Sequence, residues 1–289
     1  MASQTAAVAT DQHANKRIVS ELPFEVLREV MPHLPRRQGR AWLFQYEDDM
    51  LVKLSWATRS SESAAMQYVR QHDPNVPVPE VYFCDFTNPR HGLIFMEHIP
   101  GETLEEVWPR LNPSQKEQAC HDTWNIVMAL RQILRPEDIP PETCLYTTVD
   151  GSPLYPQGGL TGHSTKPLDK SLHDTDDAFR DFILQRYDES GGTDENVKQN
   201  FPRSETAVFT HGDIHPRNLM ATADGRVTSL LDFECAGFMP DYWEDIGMFL
   251  EIFECDQDWA DTMMRTKPST WDFDAARALC KVAKRFLLY

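Results

Sequence analysis

The decisive stretch of this chain is F-T-H-G-D-I-H-P-R-N-L-M (Phe209–Met220), followed by S-L-L-D-F (Ser229–Phe233). In it Asp213 precedes Asn218 by five positions, and a second acidic residue, Asp232, closes a short hydrophobic run. The amide of Asn218 and the carboxylate of Asp232 supply the hard oxygen atoms that Mg²⁺ prefers as ligands. The pattern therefore predicts a metal-binding site at Asn218 and Asp232, with the Asp213 carboxylate beside it.

A hairpin between the two motifs explains how they would meet. Apolar-rich runs flank Asp224-Gly225, which is the preferred pair for a two-residue type I′ turn. Closing the runs with that turn sets Asn218 opposite Leu231, so that Asp232 becomes its neighbour. Kinases use this arrangement: an Asp orients a substrate hydroxyl, an Asn binds a metal ion, and a later Asp binds the metals that bridge the ATP phosphates.

A transition-metal site is the alternative use of the same loop, because His211, Asp213 and His215 alternate along it. The further G-N-H and G-H-x-H motifs that a metallophosphoesterase needs are missing from the sequence. Gly212 and Pro216 also favour a loop over a strand, on which alternate residues would share a face. We therefore expect His211 to hydrogen-bond to the backbone and shape the loop.

The upstream half of the chain offers a lysine and a glutamate as partners. Lys53 lies within a short apolar strand, residues 50–55, which follows a second candidate strand at residues 41–46. A helix follows, which Ser60 or Ser61 could cap and on which one face carries Glu62, Ala65, Met66 and Val69. An unpaired carboxylate on that apolar face would be costly, so Lys53 is the natural partner of Glu62. A carboxylate in the first helical turn is also favourable by itself, which leaves a purely local role open.

A candidate hinge lies further along the chain. Residues 81–86 and 93–97 are predicted strands, His98-Ile99-Pro100-Gly101 interrupts the pattern, and residues 102–108 begin a helix. In a kinase, backbone groups at this position bind adenine. Backbone recognition leaves no side-chain pattern, so position alone supports this prediction.

Three runs together resemble a known family: L-I-F-M-E-H-I-P-G-E-T-L-E-E-V-W, V-F-T-H-G-D-I-H-P-R-N-L-M and L-L-D-F-E-C-A-G-F-M-P-D-Y-W-E. With Lys53 and Glu62, they resemble the aminoglycoside phosphotransferase/choline kinase superfamily, and most closely its branch in filamentous fungi. The resemblance covers about residues 40–260. It implies an α+β, two-lobed, protein-kinase-like fold, with a small antiparallel-sheet N-terminal lobe and a larger, mainly helical C-terminal lobe.

The resemblance also implies roles for single residues and a nucleotide in the crevice between the lobes. Asp213 would be catalytic, Lys53 and Glu62 would bind phosphates as a pair, and Glu97 to Ile99 would form the adenine hinge. Mg²⁺ would be held by Asn218 and Asp232, and structural support would come from His211 and Asp245. Two departures stand out: the presumed nucleotide loop has a single glycine, Gly39, and Phe233 replaces the usual Trp.

Composition agrees with such an enzyme. At 289 residues and 41% hydrophobic content the chain is long enough for two lobes, predicted as residues 18–98 and 99–289 after a disordered tail at residues 1–17. The net charge of −17 argues against nucleic-acid binding. No apolar run reaches transmembrane length, and six scattered cysteines favour reduced thiols in the cytoplasm.

These observations predict an ATP- and Mg²⁺-dependent phosphotransferase that acts on a hydroxyl of a small molecule resembling an aminoglycoside, choline or a secondary metabolite. Protein substrates are not expected, because Asp232-Phe233 runs almost directly into a turn at residues 236–240 and no activation segment follows. The alternative is a kinase-shaped protein without kinase chemistry, either a binding module or a biosynthetic enzyme that uses the fold for another reaction.

Overall fold

The computed structural model describes residues 37–38, 41–88, 91–139, 144–152, 154, 169–249, 254–271 and 282. The predicted tail, Gly39 of the presumed nucleotide loop and much of the Gly- and Ser-rich segment 145–178 lie outside the described residues. Contacts divide the described chain into two units. One comprises the residues up to Thr58 and Val81–His98, and the other comprises Arg59–Glu80 and the residues from Ile99 onward.

The first unit is a five-stranded antiparallel sheet. Its strands are β1 (Arg37–Gln38), β2 (Ala41–Glu47), β3 (Met50–Ser55), β4 (Val81–Asp85) and β5 (Gly92–Glu97). They are ordered β1-β2-β3-β5-β4, and every neighbouring pair is antiparallel. The core against the sheet is formed by Phe44, Met50, Val52, Leu54, Leu93 and Phe95.

The second unit is mainly helical. Its helices are α1 (Ser60–His72), α2 (Leu104–Val107), α3 (Pro113–Leu130), α4 (Asp176–Glu189), α5 (Glu195–Gln199), α6 (Asp245–Phe249) and α7 (Glu254–Thr266). Two small antiparallel sheets accompany them, made from β6 (Glu102–Thr103), β7 (Ala207–Thr210), β8 (Leu219–Ala221), β9 (Val227–Leu230) and β10 (Gly237–Pro240). Among the described residues, no helix combines the length and apolarity needed to cross a membrane. The predicted α+β class, with a small antiparallel sheet and a larger helical part, is confirmed.

Helix α1 has the apolar face that its sequence predicts. Glu62 is 1% exposed, and three apolar residues of the same face are buried with it. The predicted serine cap is wrong, because Arg59 occupies the capping position with an extended backbone and no side-chain bond. Ser60 instead donates its hydroxyl to the Asp150 carboxylate at 3.0 Å. The contacts of α1 place it in the second unit, although its residues lie within the predicted N-terminal lobe.

The sequence predicts that α3 starts at Asn112-Pro113, with Asn as the capping residue, and that its helical stripe runs to Leu134 before Pro136 ends the helix. The helix begins as predicted and ends early. Asn112 accepts from the Gln115 N–H in a capping box, with proline at the first helical position. The predicted continuation to Pro136 is wrong, because the helix ends at Leu130. The chain then tightens into i→i+3 bonds, including one from the Ile133 N–H to the Leu130 carbonyl at 3.0 Å. Leu134, predicted on the buried stripe, is 78% exposed.

The hairpin of β8 and β9 has a three-residue loop instead of the predicted two-residue turn. The Gly225 N–H donates to the Thr222 carbonyl at 2.8 Å, and Gly225 has a φ of +87°, a conformation that favours glycine. Thr228 then bulges out of the ladder, since Ala221 pairs with Val227 but Met220 pairs with Ser229. At the base of the hairpin the Leu231 N–H donates to the Asn218 carbonyl at 2.8 Å, so the predicted Asn218–Leu231 pairing is confirmed.

The segment predicted as a turn at residues 236–240 is mostly strand β10, which pairs with β7 and carries an isolated bridge from Phe238 to Thr147. Gly237 is required there by close packing. A Cβ atom at this position would lie 2.7 Å from the Thr147 carbonyl oxygen. Because β7 leads directly into Asp213, the pairing with β10 fixes where the proposed catalytic loop begins.

A buried polar cluster surrounds Trp271 in the second unit. The indole N–H donates to the Asp245 carboxylate at 2.7 Å, and the Arg131 guanidinium carbon lies 3.7 Å from the ring centroid. Burial raises the pKa of Asp245 to about 8, against the opposing effects of the indole N–H and the Arg131 charge. The folded protein therefore retains a proton at Asp245 over a pH range in which the unfolded chain has lost it.

This proton makes stability depend on pH. The pKa of an Asp in an unfolded chain is about 3.9, so the free energy of unfolding should fall as the pH rises from about 4 to about 8, by at most about 1.4 kcal/mol per pH unit. Asp245→Asn removes the titration and keeps an acceptor for Trp271, and should weaken this decline in thermal unfolding measured across that range. Glu205→Gln, at an exposed position, is the control. An unchanged slope in Asp245→Asn would contradict the assignment.

Candidate active site

The loop after β7 is held by His211, whose ring is buried. The Asp213 N–H donates to His211 Nδ1 at 3.2 Å, so Nε2 carries the hydrogen and donates to the Leu231 carbonyl at 2.9 Å. The ring also packs edge-on against Phe233, with centroids 4.7 Å apart. His211 thereby connects the loop that carries Asp213 to the segment that carries Asp232.

Glu244 fixes the backbone of the same loop. Its two carboxylate oxygens accept from the His211 N–H and the Gly212 N–H, each at 2.8 Å. Burial raises the pKa of Glu244, and the two N–H bonds and the nearby charges oppose that effect. Sequence reasoning assigned loop support to Asp245, whereas the structure places Asp245 against Trp271. In the sequence, the pattern that could have pointed to Glu244 is an acidic residue that directly follows two aromatic residues.

The Asp213 carboxylate is bound at both of its oxygens. Oδ1 accepts from the Arg217 guanidinium at 2.8 Å, and Oδ2 accepts from Asn218 Nδ2 at 2.8 Å. Asn218 Nδ2 also donates to the Asp213 carbonyl at 2.9 Å. Since the amide nitrogen of Asn218 faces Asp213, the Oδ1 atom of the amide is its potential metal ligand. The structure brings these two predicted residues together, and sequence reasoning missed Arg217.

Asp232 has an unusual backbone conformation, with φ of 65° and ψ of 67°. It is the one non-glycine residue with positive φ among the residues that the structure describes. Such a conformation costs on the order of 1–3 kcal/mol and is concentrated at functional sites. It turns the chain from β9 into the single helical turn Phe233–Cys235, where the Phe233 side chain is buried against His211.

Three carboxylates converge at Asp232. One oxygen from each of Glu62, Asp232 and Glu234 lies within 4.8 Å of the other two. Glu62 arrives from α1, which packs on the turn Phe233–Cys235. Carboxylates this close repel one another unless protons or cations neutralise them. Their hard oxygen atoms fit Mg²⁺. The sequence analysis missed Glu234, although its position two residues after Asp232 could have indicated a further metal ligand.

The remaining predicted residues belong to, or border, the first unit. Lys53 lies in the middle of β3, is 6% exposed, and pairs with Leu43 and Ile94 in the adjacent strands. Glu97 ends β5, and the next N–H, that of His98, donates to the Asp49 carbonyl at 2.8 Å. Ile99, which is half-buried, begins the return of the chain to the second unit.

Solved structures of aminoglycoside phosphotransferases resemble this protein in fold. APH(4)-Ia matches with a TM-score of 0.60 at 14% identity, over 92% of this chain and 90% of that one. The gentamicin complex of APH(2″)-IIa matches with a TM-score of 0.52 at 12% identity, over 93% and 97%. The GDP complex of aminoglycoside 2′-phosphotransferase-IIIa matches with a TM-score of 0.55 at 13% identity, over 91% and 87%. The predicted protein-kinase-like fold is thereby confirmed.

Comparison with curated proteins finds no match in sequence. The phosphotransferase enzyme family, APH, matches residues 27–279, which is most of the chain. The matched range includes the loop of Asp213 and Asn218 and the segment of Asp232 and Glu234. This protein belongs to the phosphotransferase enzyme family.

Proposed function

We propose that this protein uses ATP and Mg²⁺ to phosphorylate a hydroxyl group of a small molecule. The observation that carries the proposal is the fixed Asp213 carboxylate, bonded to Asn218, whose backbone pairs with the residue before Asp232. Family membership supports the phosphotransferase chemistry. Structures of similar fold contain a small molecule together with a nucleotide: streptomycin with ATP in APH(2″)-IIa, and hygromycin B with AMP-PNP in a variant of APH(4)-Ia.

Asp213 would orient the acceptor and receive its proton. The hydroxyl donates a hydrogen bond to the carboxylate, and its oxygen forms a bond to the γ-phosphorus of ATP. The bond between that phosphorus and the β,γ-bridging oxygen breaks, and the electron pair leaves with ADP. The hydroxyl proton passes to Asp213 and from there to solvent, so that positioning and charge stabilisation provide most of the rate enhancement.

The metal ligands we propose are Asn218 Oδ1, Asp232 and Glu234, with Glu62 close by. Mg²⁺ uses one or two protein carboxylates together with water and substrate phosphates, which suits a site where Asp232 is half-buried and Glu234 is exposed. When bound, the ion neutralises charge on the transferring phosphoryl group. Lys53 would bind the nucleotide phosphates, and the backbone of Glu97 to Ile99 would bind adenine. Within the family, we place the protein in the fungal branch as part of the same proposal.

The acceptor would be a neutral or cationic small molecule. The net charge of −17 favours positively charged ligands over anionic ones, which fits an aminoglycoside-, choline- or secondary-metabolite-like acceptor. A cytoplasmic location would provide ATP and Mg²⁺, and it agrees with the reduced state of Cys84, Cys120, Cys144 and Cys235, which form no disulfide bonds. Consumption of ATP across a panel of hydroxylated metabolites tests the reaction and identifies the acceptor class. A parallel series with GTP tests the nucleotide.

Asp213→Ala should lower turnover by about 10²–10⁴, the usual contribution of a positioned acid–base group, and leave Mg²⁺-ATP binding nearly unchanged. ATP consumption with the acceptor found in the panel measures the first effect, and a thermal shift measures the second. Asp224→Asn, at the exposed tip of the neighbouring hairpin, is the control. Turnover close to that of the wild type in Asp213→Ala would remove this loop from the chemistry.

Asp232→Asn should weaken the binding of Mg²⁺-ATP. Asparagine tolerates the left-handed backbone of this position, so the substitution removes a charged metal ligand without adding strain. At about 100 times the dissociation constant, the wild type should gain roughly 2.7 kcal/mol of stability from the ligand, and the variant should gain much less. The comparison is made with Mg²⁺ and with a chelator. Equal shifts in both proteins would rule out Asp232 as a metal ligand.

Glu244→Gln should lower both stability and turnover. The amide nitrogen cannot accept from a backbone N–H, so one buried N–H of the catalytic loop would lose its partner, at a cost of about 1–3 kcal/mol. The matched control is Glu106→Gln, because Glu106 also accepts a backbone N–H, from Thr103 at 2.8 Å, but at an exposed site. Similar small losses of stability in the two variants, without loss of turnover in Glu244→Gln, would contradict the role of Glu244.

A further inference from the structure

Arg217 is a charged residue of the site that the reaction described above does not use. Its guanidinium bonds to one oxygen of Asp213 at 2.8 Å, while Asn218 bonds to the other at 2.8 Å. The terminal torsion of an aspartate side chain has a broad energy profile, so a single hydrogen bond leaves the carboxylate plane free to rotate. Donors on opposite oxygens fix that plane.

The backbone around Arg217 is itself constrained. Arg217 lies in the single helical turn Pro216–Asn218, where proline fixes the first φ angle. The Arg217 N–H donates to His215 Nδ1 at 3.3 Å, so the residue that precedes the turn also holds it in place. The origin of the long side chain is therefore set before the guanidinium reaches Asp213.

The ion pair is poorly placed to stabilise the fold. The Arg217 and Asp213 side chains are 39% and 29% exposed, and pairs with this degree of solvent contact contribute little to stability. A bond of this kind to the proposed catalytic carboxylate is better explained by geometry at the reaction centre. We propose that Arg217 is a positioning residue, which orients the Asp213 carboxylate for phosphoryl transfer.

The bonding capacity of a carboxylate is consistent with this role. Each oxygen has two lone pairs, so Arg217 and Asn218 leave each oxygen able to accept a further bond from the acceptor hydroxyl. Arginine suits the task because its planar, charged guanidinium binds carboxylates in a defined direction, whereas lysine acts as a less directional charge. This role rests on the proposed function, and Arg217 acts through Asp213 without contacting the substrate.

Kinetics of Arg217→Ala and Arg217→Lys test the inference. We expect kcat of Arg217→Ala to fall by about 10- to 100-fold, as for a misplaced reacting group, while KM for ATP and the thermal shift with Mg²⁺-ATP change by less than about twofold. Lysine should restore part of the rate. Added guanidinium ion, at concentrations far below those that unfold the protein, should restore part of kcat in Arg217→Ala. Arg226→Gln is the control, because it breaks an ion pair between the exposed Arg226, in the loop of the β8–β9 hairpin, and Asp122 of α3.

Two kinetic results would overturn the inference. An unchanged kcat in Arg217→Ala would show that Asp213 does not need the guanidinium. Equal losses of rate and nucleotide affinity would show that Arg217 binds phosphate directly. A wild-type protein that transfers no phosphoryl group refutes the proposed function itself. Crystal structures of the wild type and Arg217→Ala then decide the orienting role: a rotated Asp213 carboxylate supports it, and an unchanged one refutes it.

Discussion

The buried carboxylate of Glu244 is the constraint on which the candidate active site depends. Its two oxygens bind successive N–H groups of the loop at His211 and Gly212. Moving a carboxylate out of water is costly, and these N–H bonds offset part of that cost. Because the His211 backbone is fixed, its ring can donate to the Leu231 carbonyl and pack on Phe233. One buried acid therefore sets the relation between the loop of Asp213 and the segment of Asp232.

The hairpin of β8 and β9 supplies the second connection between these segments, and here the sequence-based prediction was right at the base and wrong at the tip. The two-residue turn was expected from Asp224-Gly225, but the loop has three residues and Gly225 adopts a positive φ. The bulge at Thr228 restores the register, so Asn218 still pairs with Leu231. Dipeptide preferences predict a turn but do not fix its length, because a bulge elsewhere in the ladder can compensate for an added loop residue.

Features encoded within a few residues were predicted well, and those that depend on distant contacts were not. The Asn112 cap, the apolar face of α1 and the four longer strands of the first sheet follow from local patterns. Glu244 was missed because its partners lie more than 30 residues earlier in the chain. The convergence of Glu62 with Glu234 depends on how α1 packs on the turn Phe233–Cys235, which no local pattern contains.

The packing of α1 also determines where the proposed chemistry is organised. Ser60 of this helix bonds to Asp150, and the Tyr68 hydroxyl donates to the Leu134 carbonyl at 2.8 Å. In the segment after the helix, the Pro77 carbonyl accepts a hydrogen bond from the Leu230 N–H. Asp213, with its proposed metal ligands and Glu62, consequently belongs to the second unit, whereas Lys53 belongs to the first. The internal contacts of one unit therefore suffice to arrange the proposed catalytic carboxylate and the proposed metal site. The buried bonds to Glu244 and the backbone conformation of Asp232 hold these groups in place, so the proposed reaction would need little reorganisation.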